Sequence, residues 1–537
     1  MVYLTNIIND DLRNWNPHSQ IFIAAPTGSG KTQFILRKLL PYVIKNGREI
    51  LYLSNRVLLH KQIVKEVCSL QNVPYELLEN QKIAELSGIT CLTYQTLQEM
   101  NDWGTIINQF FHYVVLDEVH YITEDSLFNP KIQRFLDWLE WRKNCFVTIA
   151  ISATIEPVLG YLGFYNSEWQ LVYEDENKEH YLRRAHDIVL RLKGIPEELI
   201  FYHMERTMPQ FKVYIYETVN ELAQIISEDI SEDKWLVFQS NKEKAASQLL
   251  RNLNGNAFLL TADNKECEEM QRIVERNQFR SKVLVTTKVL DNGISLHDKK
   301  LKNVALETIS QTEFIQMLGR RRIEEGEDIA LNVYIPKLSA NYLKNLVFNT
   351  LAPMLKLAEL SEKEVLTEIM NDEEAYQRAK MLYDVKDGKL LLNTIAVNML
   401  KKRRQFAEKM ALELENNANA FVEQQLQWLG VQELEGTVIY LRDVNNRKNE
   451  EKLRKMILSY AGRSLDSEEQ KKFRNEVKEI LVQLFPEKFP HKNRIPGLKM
   501  INEVLEELKF GFCIESSHGK RKGEKTIWKI KNLPRYV

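Results

Sequence analysis

"IFIAAPTGSGKTQFILRKLL", residues 21–40, is a β-branched apolar run, a glycine-rich turn and a helical pattern in immediate succession. The turn fits a phosphate loop with Ala25 in place of its first glycine, followed by Gly28, Ser29, Gly30, Lys31 and Thr32. Each residue type has a reason to be there. Glycines let backbone N–H groups approach phosphate oxygens, and the helix that follows turns the positive end of its dipole to the anion. Lys31 reaches the terminal phosphates, and the Thr32 hydroxyl suits a magnesium ion. A strand–loop–helix unit of this kind predicts an α/β domain with a parallel sheet.

The stretches downstream alternate in the same way. "EILYLSNRVLLHKQI" ends a strand at Ser54 and opens a helix after Arg56; "ITCLTYQTLQEM" does so after Thr93 and Tyr94. "YVVLDEVHYITED" is a buried-strand pattern closing on Asp117, Glu118 and His120, and "VTIAISATIEP" closes on Ser152 and Thr154. In such sheets ligands bind beyond the C-terminal strand ends, so these loops converge on one edge. Two adjacent carboxylates there suit hydrolysis, Asp117 holding a metal ion and Glu118 orienting or deprotonating water. A helix start that merely favours acids is the alternative.

A second alternating series begins near residue 211: "FKVYIYETVNELAQII", "KWLVFQSNKEKAASQLL" with Ser240 in its loop, "AFLLTADN", "KVLVTTKVLDNGISL" with Thr287 and Gly293, "KNVALET" and "QTEFIQMLGRRRI". An arginine offered by this second domain to a phosphate held by the first stabilises the charge that develops in transfer.

Taken together the stretches resemble the superfamily 2 DExH-box helicases and translocases. APTGSGKT, SNRVLLHKQ, TYQTL, DEVH, SAT, VFQSNK, TTKVLDNGI and QMLGRRR stand in the order of that family's motifs I, Ia, Ic, II, III, IV, V and VI, over about residues 20–335. The resemblance implies two tandem RecA-like domains and ATP with Mg²⁺ as cofactors. It implies nucleotide-binding roles for Gly28, Ser29, Gly30, Lys31, Thr32 and Gly293, and Mg²⁺ at Thr32 and Asp117. Catalysis is implied for Asp117, Glu118, Gln316 and Arg320, and coupling of hydrolysis to domain movement for His120, Ser152 and Thr154. Arg56, Thr93, Ser240 and Thr287 are the implied grips on a nucleic-acid strand. The chain departs from the family where a second arginine is expected, at Ile323, leaving Arg321 or Arg322 to substitute. Gln20 is the candidate for the upstream glutamine that reads adenine. Only "SLHDKKLKNVALETISQTEFI" separates motifs V and VI, too short for a long strand-separating hairpin.

Beyond residue 338 the pattern turns helical. Ser361 with Glu364 and Ser467 with Gln470 read as capping boxes, and Phe473, Val477, Ile480, Leu481 and Leu484 form a helical stripe that reads as a bundle packed on the motor. "KKRRQF" (401–406) is a solvated helix face or a phosphate contact. "FPEKFPHKNRIPG" reads as a linker. A helix and hairpin follow, around the basic turn "HGKRKGEK"; they resemble a winged-helix ending, the alternative being a structural hairpin with a soluble turn.

The expected domains are 1–165 (motifs I–III), a connector at 166–205, 206–337 (motifs IV–VI), a helical accessory region at 338–484 and a linker with helix–hairpin at 485–537. With Lys+Arg 73 and Asp+Glu 74 in 537 residues, no global charge demands nucleic acid or excludes a local basic groove. Five scattered cysteines lack metal-site spacing, and no stretch has the length to span a bilayer. A cytoplasmic protein without membrane contact is expected. Its predicted function is an ATP-dependent helicase moving along a single strand, with nucleic acid as partner, DNA or RNA and single strand or duplex junction both open. A duplex translocase without strand separation stands as the alternative, or an ATP-controlled sensor recruiting a protein through the C-terminal region.

Overall fold

The computed structural model describes residues 4–17, 19–26, 29–100, 110–142, 145–155, 158, 199–204, 211–239, 249–251, 253, 257–264, 267–287, 296–322, 330–386, 388–431, 437–489, 495–517 and 526–532. The chain forms two compact units, 1–212 with 218–433, and 213–217 with 434–537.

In the first unit, strands β1 (Gln20–Ala24), β2 (Ile50–Ser54), β3 (Ile83–Leu86), β4 (Ile89–Thr93), β5 (Tyr113–Asp117), β6 (Val147–Ser152) and β7 (Leu199–His203) form one sheet in the order β3-β4-β2-β5-β6-β1-β7. All neighbours pair in parallel except β3 with β4. Every residue of β1, β2, β4, β5 and β6 is buried, as uninterrupted apolar runs require when helices cover both faces. Ala24 pairs with Ser152, Asp117 with Ile151, and Ser54 with Thr93. That register brings the predicted loops to one edge. β7 falls inside the stretch that reads as a connector, yet it extends this sheet beside β1.

Around the sheet lie α1 (Leu4–Ile8), α2 (Lys31–Phe34) continuing through a π turn into α3 (Leu40–Lys45), α4 (Val57–Gln71), α5 (Tyr94–Glu99), α6 (Tyr121–Glu124) and α7 (Ile132–Arg142).

The second series gives β8 (Phe211–Tyr216), β9 (Lys234–Phe238), β10 (Ala257–Leu260), β11 (Val283–Thr286), β12 (Leu301–Leu306) and β13 (Leu331–Pro336). Within the first unit β10-β11-β9-β12-β13 run side by side, all parallel. Helix α8 (Gln311–Leu318) follows β12, its start capped by the Ser310 hydroxyl, which accepts the Glu313 N–H. Two parallel-sheet α/β domains of RecA-like type thus stand in tandem.

Short helices fill residues 340–382, with the Ser361–Glu364 capping box formed as read. A hairpin, β14 (Tyr383–Lys386) and β15 (Lys389–Leu392), leads into α9 (Thr394–Asn416) and α10 (Ala420–Leu429). This region packs on both α/β domains. Arg134 of α7 holds Asp384 through two hydrogen bonds of 2.5 and 2.9 Å. Asn393, fully buried, caps α9 and donates to the Ser126 carbonyl. Ile395 and Met399 enter the first domain's core, while Trp428 meets Phe314 of α8, ring centroids 5.5 Å apart.

The second unit pairs β16 (Val438–Tyr440) in parallel with β8. It continues with α11 (Leu441–Tyr460), β17 (Ser464–Leu465), α12 (Ser467–Leu484), α13 (Leu498–Glu507), β18 (Phe512–Ser517) and β19 (Ile527–Asn532), with sheet order β17-β19-β18. Helix, strand, two helices and a two-stranded wing is the chain order of a winged helix. The stripe from Phe473 to Leu484 closes this unit's own core, against Leu505, Ile514 and Trp528. The capping box of α12 lies one residue earlier than the sequence suggests: Asp466 caps and Glu469 returns the bond, a carboxylate serving two N–H groups where a serine would serve one. The turn "HGKRKGEK" lies outside the described residues. Among the described residues no helix is long and apolar enough to cross a membrane.

Candidate active site

Gly30 enters α2 at φ 84°, a conformation that a side chain would strain. Behind it, the Lys31 ammonium is nearly buried, 9% exposed, and makes no hydrogen bond among the described residues. The Glu118 carboxylate stands 3.6 Å from it, and the Asp117 charge also lies within its reach. The Ser29 hydroxyl is likewise buried without a hydrogen-bond partner among the described residues. A buried cation and hydroxyl left so are costly unless an anion completes them, and a phosphate fits both. Thr32, half-buried in the first helical turn, and Asp117 at the end of β5 supply the oxygens a magnesium ion prefers.

Asp117 and Glu118 divide their chemistry. Asp117 accepts the Tyr52 phenol at 2.6 Å and the Glu118 N–H at 3.1 Å. Burial, and then the neighbouring Glu118 charge, push its carboxyl up to about 6. Burial would raise Glu118 as well, but Lys31, followed by His120 and Arg320, outweighs it and holds that carboxylate well below its ordinary range. Glu118 also stands at φ 49°, a left-handed conformation rare for glutamate and typical of strain kept at working sites.

A polar relay leads away from it. His120 Nδ1 lies 3.4 Å from the Glu118 carboxylate and 3.0 Å from the Ser152 hydroxyl. The same hydroxyl accepts the Thr154 N–H at 3.0 Å, and Gln316 Nε2 donates to Thr154 Oγ1 at 3.5 Å. The loop after β5 in the first domain is thereby joined to α8 of the second. A cavity of about 100 Å³ lies between them, lined by Ala25, Pro26, Glu118, His120, Gln316 and Arg320 among others.

The arginine triplet separates into different uses. Arg320 lines the cavity; Arg321 is buried and gives its Nε to the Leu301 carbonyl at 3.0 Å, so it packs into its own domain.

Of the predicted strand grips, Arg56 precedes α4 and donates to Asp125 at 2.6 Å, and Thr93 caps α5 by accepting the Thr96 N–H. The Thr287 carbonyl accepts the Thr286 hydroxyl. Gln20 is buried within β1. Gly28, Ser240, Gly293 and Ile323 lie outside the described residues. Sequence reasoning missed Tyr52, which reads as a core residue in mid-strand; Tyr94, which the sequence places only at a strand's end, donates its hydroxyl to the Asp117 carbonyl.

Residues 9–159 match the family model of the DEAD/DEAH box helicases. The likeness to that family is thus confined to the first α/β domain. Solved structures similar to it include S. cerevisiae Dbp5 bound to RNA and ADP BeF3, 16% identical, over 60% of this chain and 80% of that one, TM-score 0.40. Others are the Escherichia coli DEAH/RHA helicase HrpB (13%, 81% and 61%, TM-score 0.39) and Mycobacterium smegmatis helicase Lhr bound to ssDNA and AMP-PNP (16%, 63% and 46%, TM-score 0.38).

Proposed function

We propose that the protein is an ATP-dependent motor on nucleic acid, a helicase that couples hydrolysis to movement along one strand. The carrying observation is that Glu118 and His120 of the first α/β domain line one cleft with Gln316 and Arg320 of the second, with the Lys31 ammonium 3.6 Å from Glu118. In this reading the loop from Gly28 to Thr32, with Gly293, holds the ATP phosphates, Glu118 takes a proton from the attacking water, and Arg320 meets the charge developing on the γ-phosphate. Bound Mg²⁺, held by Thr32 and Asp117, would neutralise phosphate charge. His120, Ser152, Thr154 and Gln316 carry the change across the cleft, and Arg56, Thr93, Ser240 and Thr287 hold strand phosphates. The cavity is smaller than the roughly 300 Å³ of the smallest ordinary ligand pockets, which supports a cleft that opens to load nucleotide.

The domain division proposed is that read from the sequence, except that β7 joins the first α/β domain and the helical region ends near residue 433, where the C-terminal unit begins; the compartment proposed is the cytoplasm. The exposed side chains of α13, Lys499, Glu503, Glu506 and Glu507, are mostly acidic and repel phosphate. That supports a protein partner, not a duplex groove, at this helix. Movement on duplex without strand separation is the second reading, favoured because the described part of the interval between motifs V and VI is β12 with short turns.

ATP hydrolysis by the purified chain, alone and with single-stranded DNA, single-stranded RNA and duplexes, tests the proposal. Stimulation by one polymer supports it and names the track. Hydrolysis indifferent to all of them turns the reading toward the sensor, and none at all overturns it.

A further inference from the structure

The basic run "KKRRQF" has no part in the cleft chemistry, and its cations diverge. Lys401 and Lys402 are exposed, and Arg404 pairs with Glu408 one turn on, at 2.7 Å. Arg403 turns inward. Its Nη2 lies 3.1 Å from a Glu313 carboxylate oxygen and 3.5 Å from one of Glu124. One nitrogen thus touches both domains. Glu124 ends α6, the short helix that follows the Asp117–His120 loop. Glu313 lies in the first turn of α8, whose last turns present Gln316 and lead to Arg320.

Both carboxylates are nearly dry, 7% and 8% exposed. Two such anions on opposite domains resist approach unless a cation stands between them. Glu313 is held in place by the Thr308 hydroxyl at 2.7 Å. The helix bearing Arg403 is itself anchored on the first domain, through Asn393 and the Arg134–Asp384 pair. Its successor α10 is anchored on α8, through Trp428 against Phe314.

We propose that Arg403 is a positioning residue: bridging Glu124 and Glu313, it keeps the two α/β domains juxtaposed and makes the helical region part of the coupling machinery. The proposal rests on the motor reading and adds to it a task for residues 338–431. Arg403 touches neither nucleotide nor water; it acts by setting where α6 and α8 stand relative to each other.

The test uses the full chain with Arg403→Gln, which keeps a long polar side chain and removes the charge, and with Arg403→Lys. Arg403→Gln is expected to lower nucleic-acid-stimulated kcat about tenfold, to leave unstimulated hydrolysis and the KM for ATP within about twofold, and Arg403→Lys to recover most of the loss. Glu124→Gln, which removes one arm of the bridge, shifts the same parameter less and serves if Arg403→Gln does not fold. Independently of turnover, fluorophores at Lys45→Cys and Ile230→Cys, with the native cysteines replaced, report the interdomain distance; Arg403→Gln should broaden its distribution. Stimulated rates and distances equal to the parent's would overturn the proposal, as would a loss shared equally by the unstimulated rate, which marks a merely structural pair. A parent chain that hydrolyses no ATP sinks the motor reading, and the distance measurement then still decides the bridge.

Discussion

The cleft and the C-terminal unit handle charge in opposite ways. In the first unit, Lys31, Asp117, Glu124, Glu313, Arg320 and Arg321 are nearly out of water. In the second, no charged side chain among the described residues is buried: its core is wholly apolar, and its ion pairs, such as Lys531 with Glu515, stand in solvent. Burying a charge opposes folding unless a partner or a ligand offsets it. The contrast therefore assigns chemistry to the first region and shape to the second. It also implies that substitutions in the two should fail differently, one losing rate and the other losing structure.

The sharpest break is Glu118→Gln, which should lower ATP turnover about 10⁴-fold while ATP still binds, as steady-state rates and calorimetric titration would read. Arg320→Ala follows, losing about 10³ in rate with far less change in nucleotide affinity. Arg321→Ala should reverse that pattern: its guanidinium serves the Leu301 carbonyl, so the melting temperature falls and the rate per folded molecule holds. In the C-terminal unit, Phe473→Ala should cost about 3–5 kcal/mol, seen as a separate early transition in calorimetry, with unstimulated hydrolysis retained.

A milder effect comes from pH. Because the Asp117 carboxyl is pushed up to about 6, it holds its proton below that pH and must release it to take Mg²⁺. The Mg²⁺ concentration needed for half-maximal hydrolysis should rise about tenfold for each unit below pH 6. Tyr52→Phe, by deleting a bond that favours the carboxylate, should move that limb to higher pH. For stability the sign is opposite. The folded chain holds this proton more tightly than the unfolded one, so the group's contribution is full below its ordinary 3.8 and is lost as pH rises through about 6. The smallest effect belongs to Lys531→Gln, which should leave the melting curve unchanged; a clear shift would undo the contrast drawn between the two regions.

Much of this was legible in the chain itself, where function depends on neighbours in sequence. The turn residues Ser29 to Thr32, the Asp117–Glu118 pair and the strand endings at Ser54, Thr93 and Ser152 follow from local pattern, and the parallel pairing brings the strand ends to one edge. What escaped depends on contacts between residues far apart. The phenol of Tyr52 reaches Asp117 across two paired strands, β7 joins the first sheet from within an apparent connector, and Arg134 finds Asp384 some 250 positions away. The arginine triplet shows the limit well: three identical side chains, of which Arg320 lines the cavity and Arg321 ties down a carbonyl, distinguished only by which way the end of α8 turns them.

The pairing of β16 on β8 has a consequence for biosynthesis. The ribosome makes Phe211–Tyr216 early, yet the strand that covers that edge, Val438–Tyr440, comes roughly 220 residues later, about 10–45 s at 5–20 residues per second. Throughout that interval the nascent chain carries an open β edge of the kind that templates aggregation. Chains whose synthesis stops before residue 438 keep it permanently, so premature termination between the helical region and the C-terminal unit should yield insoluble protein rather than a shorter folded one.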